Sequence, residues 1–74
     1  MPSAQDLKDL VSRGGGMVLD SGQVPITDLK DIASRASASG ALITIRKAGR
    51  LSIPDLKDLA SRGSAKIIFD FTEE

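Results

Sequence analysis

The sequence predicts an α/β fold of three helix–strand units, with a two-layer architecture: a three-stranded parallel sheet of order 1-2-3 and the helices on one face. Three observations predict it: an octet that occurs three times, a glycine or small-residue tract after each octet, and an apolar run after each tract. The chain has 74 residues, so we expect residues 1–74 to form one α/β repeat domain.

The octet begins with Asp-Leu-Lys-Asp in every copy and ends in Ser-Arg. Its copies begin at Asp6, Asp28 and Asp55, at offsets of 22 and 27 residues. Recurrence at such a spacing is the sequence mark of a repeat architecture. We therefore expect three structurally equivalent units.

Each octet predicts an amphipathic helix, because apolar residues recur at helical spacing. The three apolar sets are Ala4, Leu7, Leu10 and Val11; Ile26, Leu29, Ile32 and Ala33; and Ile53, Leu56, Leu59 and Ala60. Ser3 and Ser52 precede the octets at a capping spacing, and Thr27 is the candidate cap of the second helix. The predicted helices cover 3–13, 26–37 and 53–62, and glycines such as Gly14, Gly40 and Gly63 are expected to end them.

The apolar runs predict strands at 17–20, 41–46 and 65–71. Ile43 and Ile45 alternate with Thr44 and Arg46, which is typical of a strand that is covered on one face only. Successive right-handed crossovers in one direction would place every helix on that face. Leu42 and Ile68 interrupt the alternation, so a sheet of order 2-1-3 with helices on both faces remains the alternative.

Composition excludes several classes of function. The chain has no Cys and no His, which removes disulfides, thiolate chemistry and the common zinc sites. Its formal net charge is zero, and its apolar runs are too short to cross a membrane. We expect a cytoplasmic protein without catalytic residues, cofactor or metal.

The glycine tract 14–16 follows a helix instead of leading into one, so it does not predict a phosphate loop. Six of the eight aspartates lie in the octets, where we interpret them as helix-capping and solvated charges. Arg46, Lys47 and Arg50 form a basic cluster after the second strand. This cluster supports an alternative hypothesis, a small nucleic-acid-binding protein, although it lacks interleaved aromatic residues.

The unit resembles leucine-rich repeats, in which a short strand is followed by a turn and a helix. Ile43, Ile45, Ala48 and Leu51 are similar to the core of such a repeat, with Ala48 near the place of the Asn in the family signature. The resemblance implies that a protein partner binds over the open face of the sheet.

The sequence thus predicts a protein-interaction or assembly module, most simply a homodimer, that uses the open sheet face and the last strand. Nucleic acid, membranes and small-molecule substrates are disfavoured as partners. A further alternative is an isolated or engineered repeat unit with no function of its own. The candidate interaction residues are Leu42, Thr44, Arg46, Lys47, Arg50, Ile68, Phe69 and Phe71.

Overall fold

The computed structural model describes residues 3–64 and 66–72. The helices are α1 (Ala4–Ser12), α2 (Ile26–Ser39) and α3 (Ile53–Gly63). The strands are β1 (Met17–Asp20), β2 (Ile43–Arg46) and β3 (Ile67–Phe69), and a short 3-10 helix covers Ala48–Arg50. Helix and strand alternate along the chain as the octets predict.

The three strands form a parallel sheet of order β1-β2-β3. Met17 pairs with Ile43, and Ile43 pairs with Ile67, so equivalent residues of the three units lie in one row across the sheet. The predicted strand order is confirmed and the alternative order 2-1-3 is wrong.

All three helices cover the same face of this sheet. Helix α2 packs between α1 and α3. Leu19, Ile43 and Ile45 point from the strands into the core beneath the helices and are buried. Leu42 and Ile68, which interrupt the alternation in the sequence, are about half exposed because they belong to the opposite, open face.

The helix starts follow the predicted caps in two cases. Ser3 Oγ accepts a hydrogen bond from the N–H of Asp6 at 3.2 Å, and Ser52 Oγ accepts one from the N–H of Asp55 at 3.3 Å. The expected cap at Thr27 is wrong: α2 is preceded by Pro25, which has no side chain able to accept a bond.

The helix ends confirm two of the three predicted glycine roles. Gly14 and Gly40 have left-handed φ values of 92° and 83°, which favour glycine. Gly63 differs, because it is the last residue of α3 and Ser64 takes the left-handed conformation instead. A Cβ at Gly63 would overlap Ile67 Cγ1, so glycine is needed there for the close approach of α3 to β3.

Strands β2 and β3 are shorter than predicted. Ala41 and Leu42 precede β2, and Asp70 and Phe71 lie beyond β3. Ala65, the predicted start of the last strand, lies outside the described residues. Within the described part of the chain, no helix is both long and apolar enough to cross a membrane.

Candidate interaction surfaces

A lysine joins each helix to the next one in the stack. Lys8 of α1 lies 3.1 Å from Asp28 and 3.3 Å from Asp31 of α2. We call the contact between neighbouring helices a seam. Asp28 and Asp31 both hydrogen-bond to the Lys8 ammonium group and raise its pKa above the usual value.

The second seam has the same chemistry at the equivalent residues. Lys30 of α2 lies 3.1 Å from Asp55 and 3.2 Å from Asp58 of α3, and these carboxylates raise the pKa of Lys30. The interpretation of the octet aspartates as helix-capping and solvated charges is therefore incomplete for these seam residues, which are partly exposed and also bind a lysine of the preceding helix. The sequence contained the signal, since every octet has a lysine between two aspartates.

An arginine and a serine add a second link to each seam. Arg35 Nη1 donates to Ser12 Oγ of α1 at 3.1 Å, and Arg62 Nη1 donates to Ser34 Oγ of α2 at 3.4 Å. Each arginine also donates through Nε to the aspartate four residues earlier, Asp31 or Asp58. These arginines are the main cause of the lowered pKa values of Asp31 and Asp58, and the seam lysines add to the effect.

The first octet lacks the corresponding link within its own helix. The Asp9 carboxylate accepts a hydrogen bond from the Gln5 side chain at 3.2 Å, whereas Asp31 and Asp58 accept one from the arginine four residues later. Arg13 is the C-cap residue of α1 and is exposed. These acidic and basic groups consequently remain on the surface of α1.

The two outer sides of the helix layer expose octet residues whose repeat equivalents form the contacts of the seams. The α1 flank, which faces away from α2, consists of Asp6, Asp9, Leu10 and Arg13. The α3 flank, which also faces away from α2, consists of Lys57, Ala60 and Ser61. Within residues 3–64 and 66–72, no oppositely charged group lies within 4.0 Å of Lys57, Asp6 or Asp9.

The apolar residues of the flanks are likewise exposed, although their repeat equivalents in the seams are buried. Leu10 is 50% exposed, whereas its equivalents Ile32 and Leu59 are fully buried. Ala60 is exposed, whereas its equivalents Val11 and Ala33 are fully buried. The helical pattern predicts Leu10, Ile53 and Ala60 as core residues, and all three differ from that expectation. Ile53, at the start of α3, is 61% exposed. Leu10 and Ala60 are exposed because each lacks a neighbouring helix.

Among residues 3–64 and 66–72, the two outer strands have backbone groups without a partner along their outer edges. Ile43 N–H donates to the carbonyl of Lys66, and Asp70 N–H donates to the carbonyl of Ile45, so residues 66 and 70 face β2. Because successive residues of a strand face opposite sides, the N–H and C=O groups of Ile67 and Phe69 lie along the outer edge. The N–H and C=O groups of Val18 likewise lie along the outer edge of β1, since Met17 and Ser21 on either side donate inward to the carbonyls of Leu42 and Arg46.

The open face of the sheet has one apolar row and one charged row. Val18, Thr44 and Ile68 pair across the three strands, with Val18 63% exposed. Asp20 pairs with Arg46, and Arg46 lies close enough to Asp70 to lower the pKa of that carboxyl, for which hydrogen bonds from Thr72 are the larger cause.

The two phenylalanines occupy different places. Phe69 packs against the core on the helix side, so its ring is not part of the open face. Phe71 follows β3 and is 57% exposed, with its ring centroid 6.2 Å from that of Phe69. Of the candidate residues in the last segment, Ile68 thus lies on the open face, and Phe71 is exposed beyond the end of β3.

The basic cluster after β2 is tied into the loops. Lys47 Nζ lies 3.4 Å from Asp20 Oδ2, and the Lys47 carbonyl accepts a hydrogen bond from Ser21 Oγ at 2.7 Å. The N–H of Gly22 is the main cause of the lowered pKa of Asp20, and Lys47 and Arg50 add to it. Lys47 is therefore neutralised in part by a loop contact that the sequence did not predict.

No family model, curated protein or solved structure matches this chain.

A hollow of about 170 Å³ lies at the C-terminal end of the first seam, lined by Ser12, Arg35, Ala38 and Ser39. Ser12 accepts from Arg35 and Ser39 Oγ donates to the carbonyl of Val11, so the polar lining is engaged by the protein itself. The flanks and the sheet edges, by contrast, carry charged, apolar and backbone groups without a partner among residues 3–64 and 66–72.

Proposed function

We propose that this domain is a non-catalytic assembly module that binds protein through the two ends of its repeat stack. The end surfaces are the α1 flank with the outer edge of β1, and the α3 flank with the outer edge of β3. The observation that carries the proposal is the position of Leu10, which is half exposed although its repeat equivalents are completely buried.

Physical chemistry supports a binding role for such ends. Repeat units bury their apolar faces against neighbours, and terminal units usually need a polar outer surface to stay soluble. Here the α3 flank keeps the small Ala60 and the α1 flank keeps Leu10, as in an inner seam. Free strand edges add unpaired N–H and C=O groups, which favour addition of another strand.

The test is association measured by sedimentation from about 10 μM to about 1 mM, the range of moderate to weak affinity. We expect the mass to rise with concentration. Leu10→Gln and Ala60→Gln should each weaken association several-fold, because each places a polar amide in the apolar part of the contact. The matched control is Leu42→Gln, the same change as Leu10→Gln at a residue that is also 50% exposed but lies on the open face beside the central strand, outside both ends.

The outcomes separate the two candidate surfaces. Loss of association in the flank variants with little change in Leu42→Gln supports binding through the ends. Loss in Leu42→Gln alone would move the interface to the open face and overturn the proposal. A natural chain that stays monomeric throughout the concentration range would also overturn it.

A further inference from the structure

We infer that the partner is a second copy of this chain, bound head to tail, with the α3–β3 end of one copy against the α1–β1 end of the next. The inference rests on the proposed function and names the occupant of the two ends. It follows from a comparison of each flank with the inner seams.

The charges of the two flanks are complementary halves of a seam. In the inner seams, the octet lysine of one helix meets both octet aspartates of the following helix at 3.1–3.3 Å. Lys57 on the α3 flank is the third octet lysine. Asp6 and Asp9 on the α1 flank are the aspartates of the first octet, so they offer Lys57 of another copy the same pair of carboxylates.

The second link of the seam is also divided between the flanks. In the inner seams an octet arginine donates to the serine of the preceding helix. Arg13 of the α1 flank is the remaining octet arginine, and Ser61 of the α3 flank is the remaining octet serine. Arg13 of one copy is thus placed to donate to Ser61 of the copy before it.

The apolar groups match in size. The first inner seam buries Val11 and Ile32, and the second buries Ala33 and Leu59. A head-to-tail contact would place Ala60 of one copy beside Leu10 of the next. This small–large pair is the same combination as Ala33 with Leu59, so the new seam can pack like the second one.

The strand edges continue the register of the sheet. Met17 pairs with Ile43 and Ile43 with Ile67, so the next row would pair Ile67 with Met17 of the following copy. By analogy with the bond from Ile43 N–H to the Lys66 carbonyl, Ile67 N–H would donate to the Gly16 carbonyl of that copy. The outward N–H of Val18 would then donate to the carbonyl of Ile67.

The polarity of the contact determines the form of the assembly. Because the two ends are different surfaces, the contact is heterologous and produces a ring or an open filament. A two-fold dimer through β3 would instead bring two α3 flanks together, with Lys57 opposite Lys57. Neighbouring strands are about 4.8 Å apart and neighbouring helices 8–10 Å apart. Because each unit is wider on its helix side, the growing stack curves and its helices lie on the outer side of the curve.

Charge reversal tests the inference on the full chain. Lys57→Glu reverses the α3 flank, and the double variant Asp6→Asn/Asp9→Lys reverses the α1 flank while keeping a neutral residue in the first helical turn. Each should weaken association about tenfold or more, since one attractive contact is lost and a repulsive one is added. A chain with all three substitutions should associate again, because the two reversed flanks once more carry opposite charges where they meet.

Arg50→Glu is the matched control, because it makes the same charge change as Lys57→Glu on an exposed residue of the 3-10 helix, outside both flanks. It should leave association unchanged. Circular dichroism confirms that each variant is folded. Independently of any variant, hydrogen exchange of the natural chain should show protection of the Ile67, Phe69 and Val18 amides that increases with concentration.

The results separate the inference from the function on which it rests. Growth beyond two chains, loss in either single-flank variant and recovery in the combined variant support head-to-tail binding. Association that stops at two chains, or that is insensitive to Lys57→Glu while Leu10→Gln abolishes it, overturns the inference and leaves the assembly function intact. A natural chain that is monomeric at every concentration overturns both.

Discussion

The ammonium nitrogen of Lys30 lies 3.1 Å from the carboxylate of Asp55 on the neighbouring helix. Lys8 has the same relation to Asp28, one unit earlier in the stack. Lys57 occupies the third equivalent position and has no such neighbour among residues 3–64 and 66–72. The octet lysine therefore joins two helices in the first two units and has no neighbouring helix to bind in the third.

This difference predicts unequal effects of one substitution at two equivalent positions. Lys30→Met should lower the free energy of unfolding of the monomer, because Asp55 and Asp58 lose their shared partner. Lys57→Met should leave it nearly unchanged, since exposed residues outside special contacts have small effects. Urea denaturation of both variants at low concentration makes the comparison, and equal losses would contradict the assignment of the seams.

The apolar residues of the octet allow a second matched comparison. Leu59→Ala should cost about 2–5 kcal/mol, the usual range for a fully buried leucine. Leu10→Ala should cost about 1 kcal/mol or less in the monomer, because half of the side chain is already in water. Chemical denaturation measures both losses. A loss for Leu10→Ala as large as that for Leu59→Ala would mean that Leu10 is buried.

Gly63 provides a test of the packing of α3 on β3. Gly63→Ala should destabilise the chain by about 1–3 kcal/mol, because the new methyl group would overlap Ile67. Ile67→Ala alone also costs stability, yet it should cost less in the Gly63→Ala background since the overlap is removed. A double-mutant cycle measures this coupling. Strict additivity of the two losses would contradict the close approach.

The seams also predict how stability depends on pH. Arg35 and Lys8 lower the pKa of Asp31, so this contribution is present above the ordinary carboxyl pKa of about 3.9 and is lost as pH falls through the folded-state value. The raised pKa values of Lys8 and Lys30 act in the opposite direction. Their contribution is present below about 10.4 and is lost as pH rises through the higher folded-state value.

Denaturation across the pH range should therefore show a plateau between about pH 5 and pH 9, with losses at both extremes. The double variant Lys8→Met/Lys30→Met removes the two raised groups. It should begin less stable on the plateau and lose less than the natural chain between about pH 9 and pH 12. The same alkaline loss in both chains would mean that the seam lysines do not contribute.

Much of the fold could be predicted from local sequence. Ser3 and Ser52 mark helix starts through short-range hydrogen bonds, and the alternation of Ile43, Thr44 and Ile45 indicates a strand with one covered face. These features depend on neighbours within a few residues. The sheet order followed because three equal units connected by right-handed crossovers favour one direction of growth.

The seams and flanks depend on contacts between residues that are distant in sequence. Leu10 fits the apolar face of its helix as well as Leu59 does, and the difference in burial arises only because α1 is the first helix of the stack. Lys8 and Asp28 are 20 positions apart, and their pairing requires the helices to lie side by side. Periodicity within one helix contains no information about its neighbours.

The most direct test of the complementary ends is a tandem fusion of two complete copies, with Glu74 of the first joined to Met1 of the second. The connection from β3 to the second α1 would have eight residues, 70–74 and 1–3, compared with five (21–25) and six (47–52) in the natural connections. Its length is therefore sufficient for the next unit to stack.

Urea denaturation of the fusion at low concentration measures whether the new seam forms. If the ends are complementary, the fusion unfolds in one transition with a higher midpoint and a steeper dependence on urea than the single copy, because both copies and the seam unfold together. The increase in midpoint and in slope should be smaller when the first copy has Lys57→Glu. A fusion that unfolds with the midpoint and slope of the single copy would contradict the account.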